Sequence, residues 1–335
     1  MGNKKLSNKS FLKLSDFTNS EIEYLLRLSK KLKKQTNSSN EKKQLKGKNI
    51  ALIFEKSSTR TRCAFEVAAF QQGANVTYLS PSNSQFGYKE TVEDSARVLG
   101  RMYDAIGYRG FSQQTVEKLA EYSGIPVWNG LTDEFHPTQI LADFLTIIEH
   151  SDKPLSKNKL CYIGNANNNV TNSLMIGSAI MGLDFRIIAP KEFQPKKEFV
   201  ELSHRILKKS NGKLTVSDKI ESTIKGIDFI YTDVWLSMGE PEEEWKKRID
   251  ILLPYQVNEK LLEYCGNKNV KFLHCLPAFH NKETAVGKGI FDKFGIDAME
   301  VTDEVFESKH SIVFDQAENR LHTIKAVMMA TLGKK

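Results

Sequence analysis

Short apolar runs alternate with helical patterns along the whole chain, and this alternation predicts α/β domains. After an N-terminal helix at 20–34, the first half has predicted strands at 49–54, 75–79, 104–108 and 125–129. The second half has predicted strands at 160–164, 185–189, 213–217, 228–234 and 270–274. Strands joined by crossover helices run parallel, so we expect two doubly wound domains, each a mostly parallel sheet flanked by helices.

Pro137 and the polar segment at 151–159 indicate where the first domain ends. Proline favours the first turn of a helix, and residues 140–148 carry apolar side chains at helical spacing. We therefore predict a first domain at 1–150 and a second at 151–315. The C-terminal helix at 316–335 is expected to pack back on the first domain.

Composition places the chain among ordinary globular proteins. Of its 335 residues, 40% are hydrophobic and 27% are charged, a balance that excludes fibrous and disordered classes. No apolar run approaches the roughly 18 residues of a membrane span, and the Lys-rich start has no apolar signal core. The four cysteines are far apart and form no C-x-x-C pair, so we expect no disulfide framework and a reducing cytoplasmic location.

The net charge of +7 is concentrated in one segment. Residues 27–48 hold nine basic residues and one acidic residue, Glu41, so the rest of the chain sums to 7 − 8 = −1. A nucleic-acid binder needs a broad basic face with interleaved aromatic residues. We interpret this segment as a solvated helix end and loop, and predict neither a nucleic-acid nor a membrane partner.

Polar residues follow the predicted strands of the first half, where open parallel sheets bind their ligands. The strand at 49–54 leads into a hydroxyl- and arginine-rich turn at 55–62, then a helix. Helix-start N–H groups and an arginine suit a phosphate. Alternatively, Ser57 or Ser58 simply caps the helix and the arginines are surface charges. Arg109 and the His136–Gln139 segment follow two further strands. They could bind an anion and donate hydrogen bonds to a carbonyl oxygen.

In the second half, the turns after the strands carry groups suited to an amino acid. The asparagines at 165–169 offer donors and acceptors, or form a plain polar turn. Asp233 ends a strand and could hold an ammonium group or cap a helix. The chain lacks a G-x-G-x-x-G loop and metal-ligand spacing, so we predict no cofactor and no metal.

Cys275 invites a hypothesis of thiol catalysis with His274 or His280 as base. Strand alternation opposes this hypothesis, because adjacent residues point to opposite faces and His274 should not meet Cys275.

Four motifs, in this order along the chain, resemble those of the ornithine carbamoyltransferases in the aspartate/ornithine carbamoyltransferase family. They are Ser58-Thr59-Arg60-Thr61, His136-Pro137-Thr138-Gln139, residues 233–239 and His274-Cys275-Leu276-Pro277. The resemblance implies that carbamoyl phosphate and L-ornithine are converted to L-citrulline and phosphate, without a cofactor. It also implies a homotrimer, or a multiple of trimers, in arginine metabolism. The direction of the reaction in the cell is left open.

Residue roles also follow from the resemblance. It implies catalytic roles for Arg109, His136, Asp233, Cys275 and Arg320. It implies carbamoyl phosphate contacts from Ser58, Thr59, Arg60, Thr61, Gln85, Arg109, His136, Gln139, Cys275, Leu276 and Arg320, with Gln85 lent by a neighbouring subunit. Ornithine would be held by Asn169, Asp233, Ser237 and Met238. Either Asp233 or Cys275 would assist deprotonation of the amine.

Overall fold

The computed structural model describes residues 6–38, 41–80, 89–236 and 244–332. It divides the chain into two compact units, one of residues 1–145 with 317–335 and one of residues 146–316. Gln85, Ser237 and Met238, predicted as site residues, lie outside the described residues.

The first unit contains a parallel four-stranded sheet in the order β2-β1-β3-β4. Its strands are β1 (Asn49–Phe54), β2 (Asn75–Leu79), β3 (Ala105–Arg109) and β4 (Val127–Leu131). The helices that begin in this part of the chain are α1 (Asn19–Asn37), α2 (Thr59–Gln71), α3 (Val92–Met102), α4 (Gln113–Ser123) and α5 (Pro137–Glu149).

The second unit contains a parallel five-stranded sheet in the order β7-β6-β5-β8-β9. Its strands are β5 (Lys159–Ile163), β6 (Asp184–Ile188), β7 (Lys213–Ser217), β8 (Phe229–Thr232) and β9 (Lys271–His274). Its helices are α6 (Asn169–Met181), α7 (Lys197–Leu207), α8 (Ile220–Thr223), α9 (Trp245–Leu252), α10 (Glu259–Cys265), α11 (Ala285–Phe294) and α12 (Asp303–Phe306). The predicted fold class of two parallel sheets flanked by helices is confirmed.

Each sheet reverses its strand order at one place. In the first sheet β2 and β3 lie on opposite sides of β1, and in the second β6 and β8 lie on opposite sides of β5. The connections therefore leave these strands in opposite directions, and a crevice opens beyond their carboxyl ends. The turns after β1 and β3, and after β5 and β8, occupy these two positions.

The last helix, α13 (Val313–Leu332), contributes most of its length to the first unit. Trp128 on β4 donates through Nε1 to Thr331 Oγ1 at 3.0 Å. Lys325, whose side chain is fully buried, pairs with Glu41 at 2.7 Å and donates to Thr36. A buried ammonium is tolerated only with such partners. Together these contacts fix α13 against β4, the end of α1 and Glu41.

The basic segment at 27–48 is solvated over most of its length. Seven of its nine basic residues are exposed. The other two are half-buried: Lys33 donates to Asn319, and Lys48 donates to Asp104. Glu41 is the exception to the solvated interpretation, because its carboxylate binds the buried Lys325. Among the described residues, no helix combines the length and apolar character that crossing a bilayer requires.

Candidate active site

The turn after β1 places a helix start beside two arginines. Ser58 is the N-cap of α2, and its hydroxyl accepts a hydrogen bond from Thr61 N at 3.2 Å. The capping alternative for Ser58 is therefore confirmed. The first N–H groups of α2 carry the partial positive charge that attracts anions to a helix N-terminus. Thr59 is exposed and Arg60 is half-buried at this end of the helix.

Thr61 connects this helix start to two arginines from elsewhere in the first unit. Its hydroxyl accepts from Arg320 at 2.8 Å and from Arg109 at 3.4 Å. Arg109 is the last residue of β3, and Arg320 comes from α13. Thr61 is fully buried, and the arginines are only 8% and 3% exposed. Two guanidinium groups of like charge are thus held together inside the protein, an arrangement that an anionic ligand would stabilise.

Tyr108 positions the turn that precedes α2. Its hydroxyl, on β3, donates to the Glu55 carboxylate immediately after β1. Gly110 leaves room for this contact, since a Cβ there would overlap both side chains. Burial, followed by the bond to Glu55, raises the pKa of Tyr108, so the phenol keeps its proton and remains a donor. The ends of β1 and β3 are held together by this bond.

His136 and Gln139 lie at the start of α5, which begins at Pro137 as predicted. His136 is 4% exposed and Gln139 is fully buried. Burial lowers the pKa of His136 well below its usual value, and the charges of Arg320 and Arg109 lower it further. The ring is therefore neutral at physiological pH and can donate one hydrogen bond to an oxygen without carrying charge.

In the second unit, sheet register brings Asp233 and Cys275 together. Thr232 on β8 pairs with His274 on β9, so the next residue of each strand leaves the sheet beside the other. Cys275 Sγ donates to Asp233 Oδ1 at 3.2 Å, and Val234 N donates to the same oxygen at 2.9 Å. Burial raises the pKa of Asp233. Asp233 caps no helix, so the capping alternative does not apply.

His274 and Cys275 lie closer than strand alternation predicts, since the ligand atoms of Asp233, His274 and Cys275 are within 4.8 Å of one another. Strand alternation stops applying because β9 ends at His274, and Leu276 then adopts a positive φ of 60°. This is the set of described residues whose atoms could hold a metal ion. The His274 ring is already engaged, however: Nδ1 accepts from Leu276 N and Nε2 contacts Glu300, which leaves no lone pair for a metal.

Two of the asparagines after β5 make contacts that shape this turn. Asn168 caps α6 by accepting from Thr171 N, and it donates to Tyr162. Asn165 donates to the Trp235 carbonyl, which ties the turn after β5 to the turn after β8. Asn169, the first residue of α6, is half-buried beside them.

Comparison with known proteins identifies the chain. Residues 9–149 match the model described as "Aspartate/ornithine carbamoyltransferase, carbamoyl-P binding domain". Residues 156–331 match the model for the Asp/Orn binding domain of the same family. The chain belongs to the aspartate/ornithine carbamoyltransferase family.

Relatives in this family match along nearly the full chain. An ornithine carbamoyltransferase of Staphylococcus aureus strain Newman is 60% identical over 331 residues, covering 99% of both chains. The solved structure of the Pyrococcus furiosus ornithine carbamoyltransferase is 38% identical, with a TM-score of 0.89 over 98% of this chain and 99% of that one. The solved structure of the anabolic ornithine carbamoyltransferase of Campylobacter jejuni is 36% identical, with a TM-score of 0.85. The match covers 96% of this chain and 97% of that one.

The arrangement around His136 predicts a pH-dependent stability. An unfolded histidine binds a proton below about pH 6.5, whereas the buried ring does not. The free energy of unfolding should therefore fall as the pH drops below 6.5, by at most about 1.4 kcal/mol per pH unit for this one proton. Urea unfolding at pH 5.5, 6.5 and 7.5 gives the free energy of unfolding of the wild type and of His136→Asn. The difference in this free energy between the two proteins should shrink towards pH 5.5. A pH-independent difference would show that His136 takes up a proton in the folded protein.

Proposed function

We propose that this protein transfers the carbamoyl group of carbamoyl phosphate to the side-chain amine of L-ornithine, giving L-citrulline and phosphate. The observation that carries the proposal is the pair of buried arginines on the Thr61 hydroxyl at the start of α2. Family membership and the full-length similarity to ornithine carbamoyltransferases support the same reaction.

In this proposal the first domain, 1–150 with the C-terminal helix, holds carbamoyl phosphate. The phosphate lies at the N-terminus of α2 against Ser58, Thr59, Arg60, Thr61 and Arg109, with Gln85 supplied by a neighbouring subunit. The carbamoyl group faces His136, Gln139 and Arg320. Neutral His136 and charged Arg320 donate to the carbamoyl oxygen as it becomes an oxyanion, while the arginines stabilise the leaving phosphate.

The second domain, 151–315, holds ornithine through Asn169, Asp233, Ser237 and Met238, with Cys275 and Leu276 near the reacting amine. An amine with a pKa near 10.4 is neutral in only about one molecule in a thousand at pH 7. Asp233 and Cys275 are the two candidates for assisting deprotonation of this amine, and Asp233 is favoured. In the Cys275–Asp233 bond the thiol donates and the carboxylate accepts, and the raised pKa of Asp233 makes it a stronger base than an exposed carboxylate.

The amine nitrogen then attacks the carbonyl carbon and forms a tetrahedral intermediate. The bond from carbon to the phosphate oxygen breaks, and phosphate leaves with the electron pair. Asp233 takes the first proton of the ammonium group before the attack, and the second proton, carried by the nitrogen of the tetrahedral intermediate, passes to the departing phosphate. No covalent enzyme intermediate is needed, so catalysis rests on positioning and on charge stabilisation.

We propose that the working form is a trimer or a multiple of trimers in the cytoplasm. On α2, Cys63, Val67 and Phe70 share one exposed face, and Phe70 is 79% exposed. A large apolar side chain in water is costly, and such a face suits an interface between copies. None of the four cysteines, all within the described residues, forms a disulfide, as expected in a reducing compartment.

The acceptor assay tests the reaction itself. Purified protein with carbamoyl phosphate and L-ornithine should form citrulline, measured colorimetrically. Putrescine, which lacks the carboxylate that Asn169 would contact, should react at least about a hundredfold less efficiently in kcat/KM, and aspartate no better. Folded protein that forms no citrulline would contradict the proposal, and a preference for putrescine or aspartate would change the substrate.

Arg60→Ala tests the phosphate site. Loss of a charge-assisted contact to the leaving group should reduce kcat/KM by at least about a hundredfold while the circular dichroism spectrum is unchanged. Arg101→Ala, an exposed arginine at the end of α3, is the control and should change kcat/KM by less than about twofold. Near-normal turnover in Arg60→Ala would place the anion elsewhere.

Phe70→Glu tests the proposed interface. Light scattering should give a wild-type mass of three times the 38.0 kDa chain, or a multiple of that mass. A charge on the exposed face of α2 should shift the variant towards the monomer mass. Val286→Glu, at an exposed apolar position on α11, should keep the wild-type mass. A monomeric wild type, or a Phe70→Glu variant that assembles normally, would contradict the interface.

A further inference from the structure

An acidic residue, Asp143, is buried in the largely apolar helix α5. Asp143 and Gln139 are both fully buried, and they lie four residues apart on one face of the helix. Gln139 Nε2 donates to Asp143 Oδ1 at 2.8 Å. A lone acid within the mostly apolar run at 140–148 is the sequence signal for this contact, and it belongs to none of the four motifs.

This contact fixes which way the Gln139 amide points. A carboxylate only accepts hydrogen bonds, so the NH₂ group must face Asp143 and the carbonyl oxygen must face away from it. Gln139 Oε1 is buried, and no described residue donates to it. Gln139 lies one helical turn from His136, and the charges of Arg320 and Arg109 lower the pKa of the His136 ring. A buried acceptor is thus held beside the anion site, where it is costly to leave unpaired.

We propose that Asp143 is a positioning residue that holds the Gln139 carbonyl oxygen ready to accept a hydrogen bond from the NH₂ of the carbamoyl group. The inference rests on the proposed function and deepens it. It also replaces the expectation that Gln139 donates to the carbamoyl oxygen, because its amide donors face Asp143. The pair would select carbamoyl phosphate over acyl phosphates, which carry a methyl or methylene group in place of NH₂.

A carboxylate is needed at position 143, because an amide there would not fix the orientation of the Gln139 side-chain amide. In Asp143→Asn the new side chain can present either its carbonyl or its NH₂ group, so Gln139 can rotate and offer either end to the ligand. The shape of the pocket changes little, since Asn and Asp have nearly the same size. Asp143→Glu keeps a carboxylate acceptor and should recover part of the selectivity.

Two stable analogues of equal shape test the proposal. Phosphonoacetamide carries the NH₂ group, and acetonylphosphonate carries a methyl group at the same position. By isothermal titration calorimetry, the wild type should bind phosphonoacetamide at least about tenfold more tightly. In Asp143→Asn this ratio should fall below about threefold, while the Kd for acetonylphosphonate stays within about twofold of wild type. Ile140→Val, a buried change on the same helix, is the control and should keep the ratio.

The outcomes separate this inference from the proposed function. A wild type that binds neither phosphonate would overturn the carbamoyl phosphate site itself. A wild type that binds both equally, or an Asp143→Asn variant that keeps the wild-type ratio, would overturn the role of Asp143 and leave the site intact. Should Asp143→Asn not fold, a crystal structure of the wild type with phosphonoacetamide still decides. The Gln139 amide should lie within hydrogen-bond distance of both the Asp143 carboxylate and the amide nitrogen of the ligand, and a Gln139 side chain turned away from either would overturn the proposal.

Discussion

The candidate site depends on two arginines of like charge that meet at one buried hydroxyl. Arg109 and Arg320 both donate to Thr61 Oγ1, and all three residues are almost excluded from water. A phosphate dianion bound beside them would offset the repulsion between the two guanidinium groups. Much of the first unit maintains this arrangement: the β3 end supplies Arg109, the α2 start supplies Thr61, and the Lys325–Glu41 pair fixes the helix that carries Arg320.

The same positive charge explains why His136 remains neutral and why the second unit has a different character. Burial and the nearby arginines disfavour imidazolium, so His136 can donate to a carbonyl oxygen without adding to the repulsion. The second unit gathers instead a carboxylate, a thiol and asparagine side chains at the ends of its strands. These groups suit a ligand that carries ammonium groups, whereas the first unit suits an anion. Each unit has the polarity that one of the two proposed substrates requires.

The fold was largely predictable from sequence because apolar periodicity identifies buried strands directly. The predicted strand at 75–79 matches β2, and the one at 160–164 is displaced by one residue from β5. Thr61, Arg109 and His136 followed strands and could be located in the same way. Arg320 could not, since it lies in the middle of a long helix and only the family resemblance identified it.

Contacts that depend on tertiary geometry were not predictable. Strand alternation did not predict how close His274 and Cys275 lie, because β9 ends at His274. Glu41 was interpreted as part of a solvated segment, but its partner Lys325 is nearly three hundred residues away in sequence. Asp143 was passed over because local pattern cannot tell a buried acid from an exposed one on the polar face of a helix.

The most direct test of this account is a crystal structure of the protein soaked with phosphonoacetamide. The phosphonate should lie at the N-terminus of α2, within hydrogen-bond distance of Arg60 and Arg109, with the amide group towards His136 and Gln139. Density for the phosphonate at another surface, with the Thr61 cluster unchanged, would contradict the central claim that the paired arginines form the anion site.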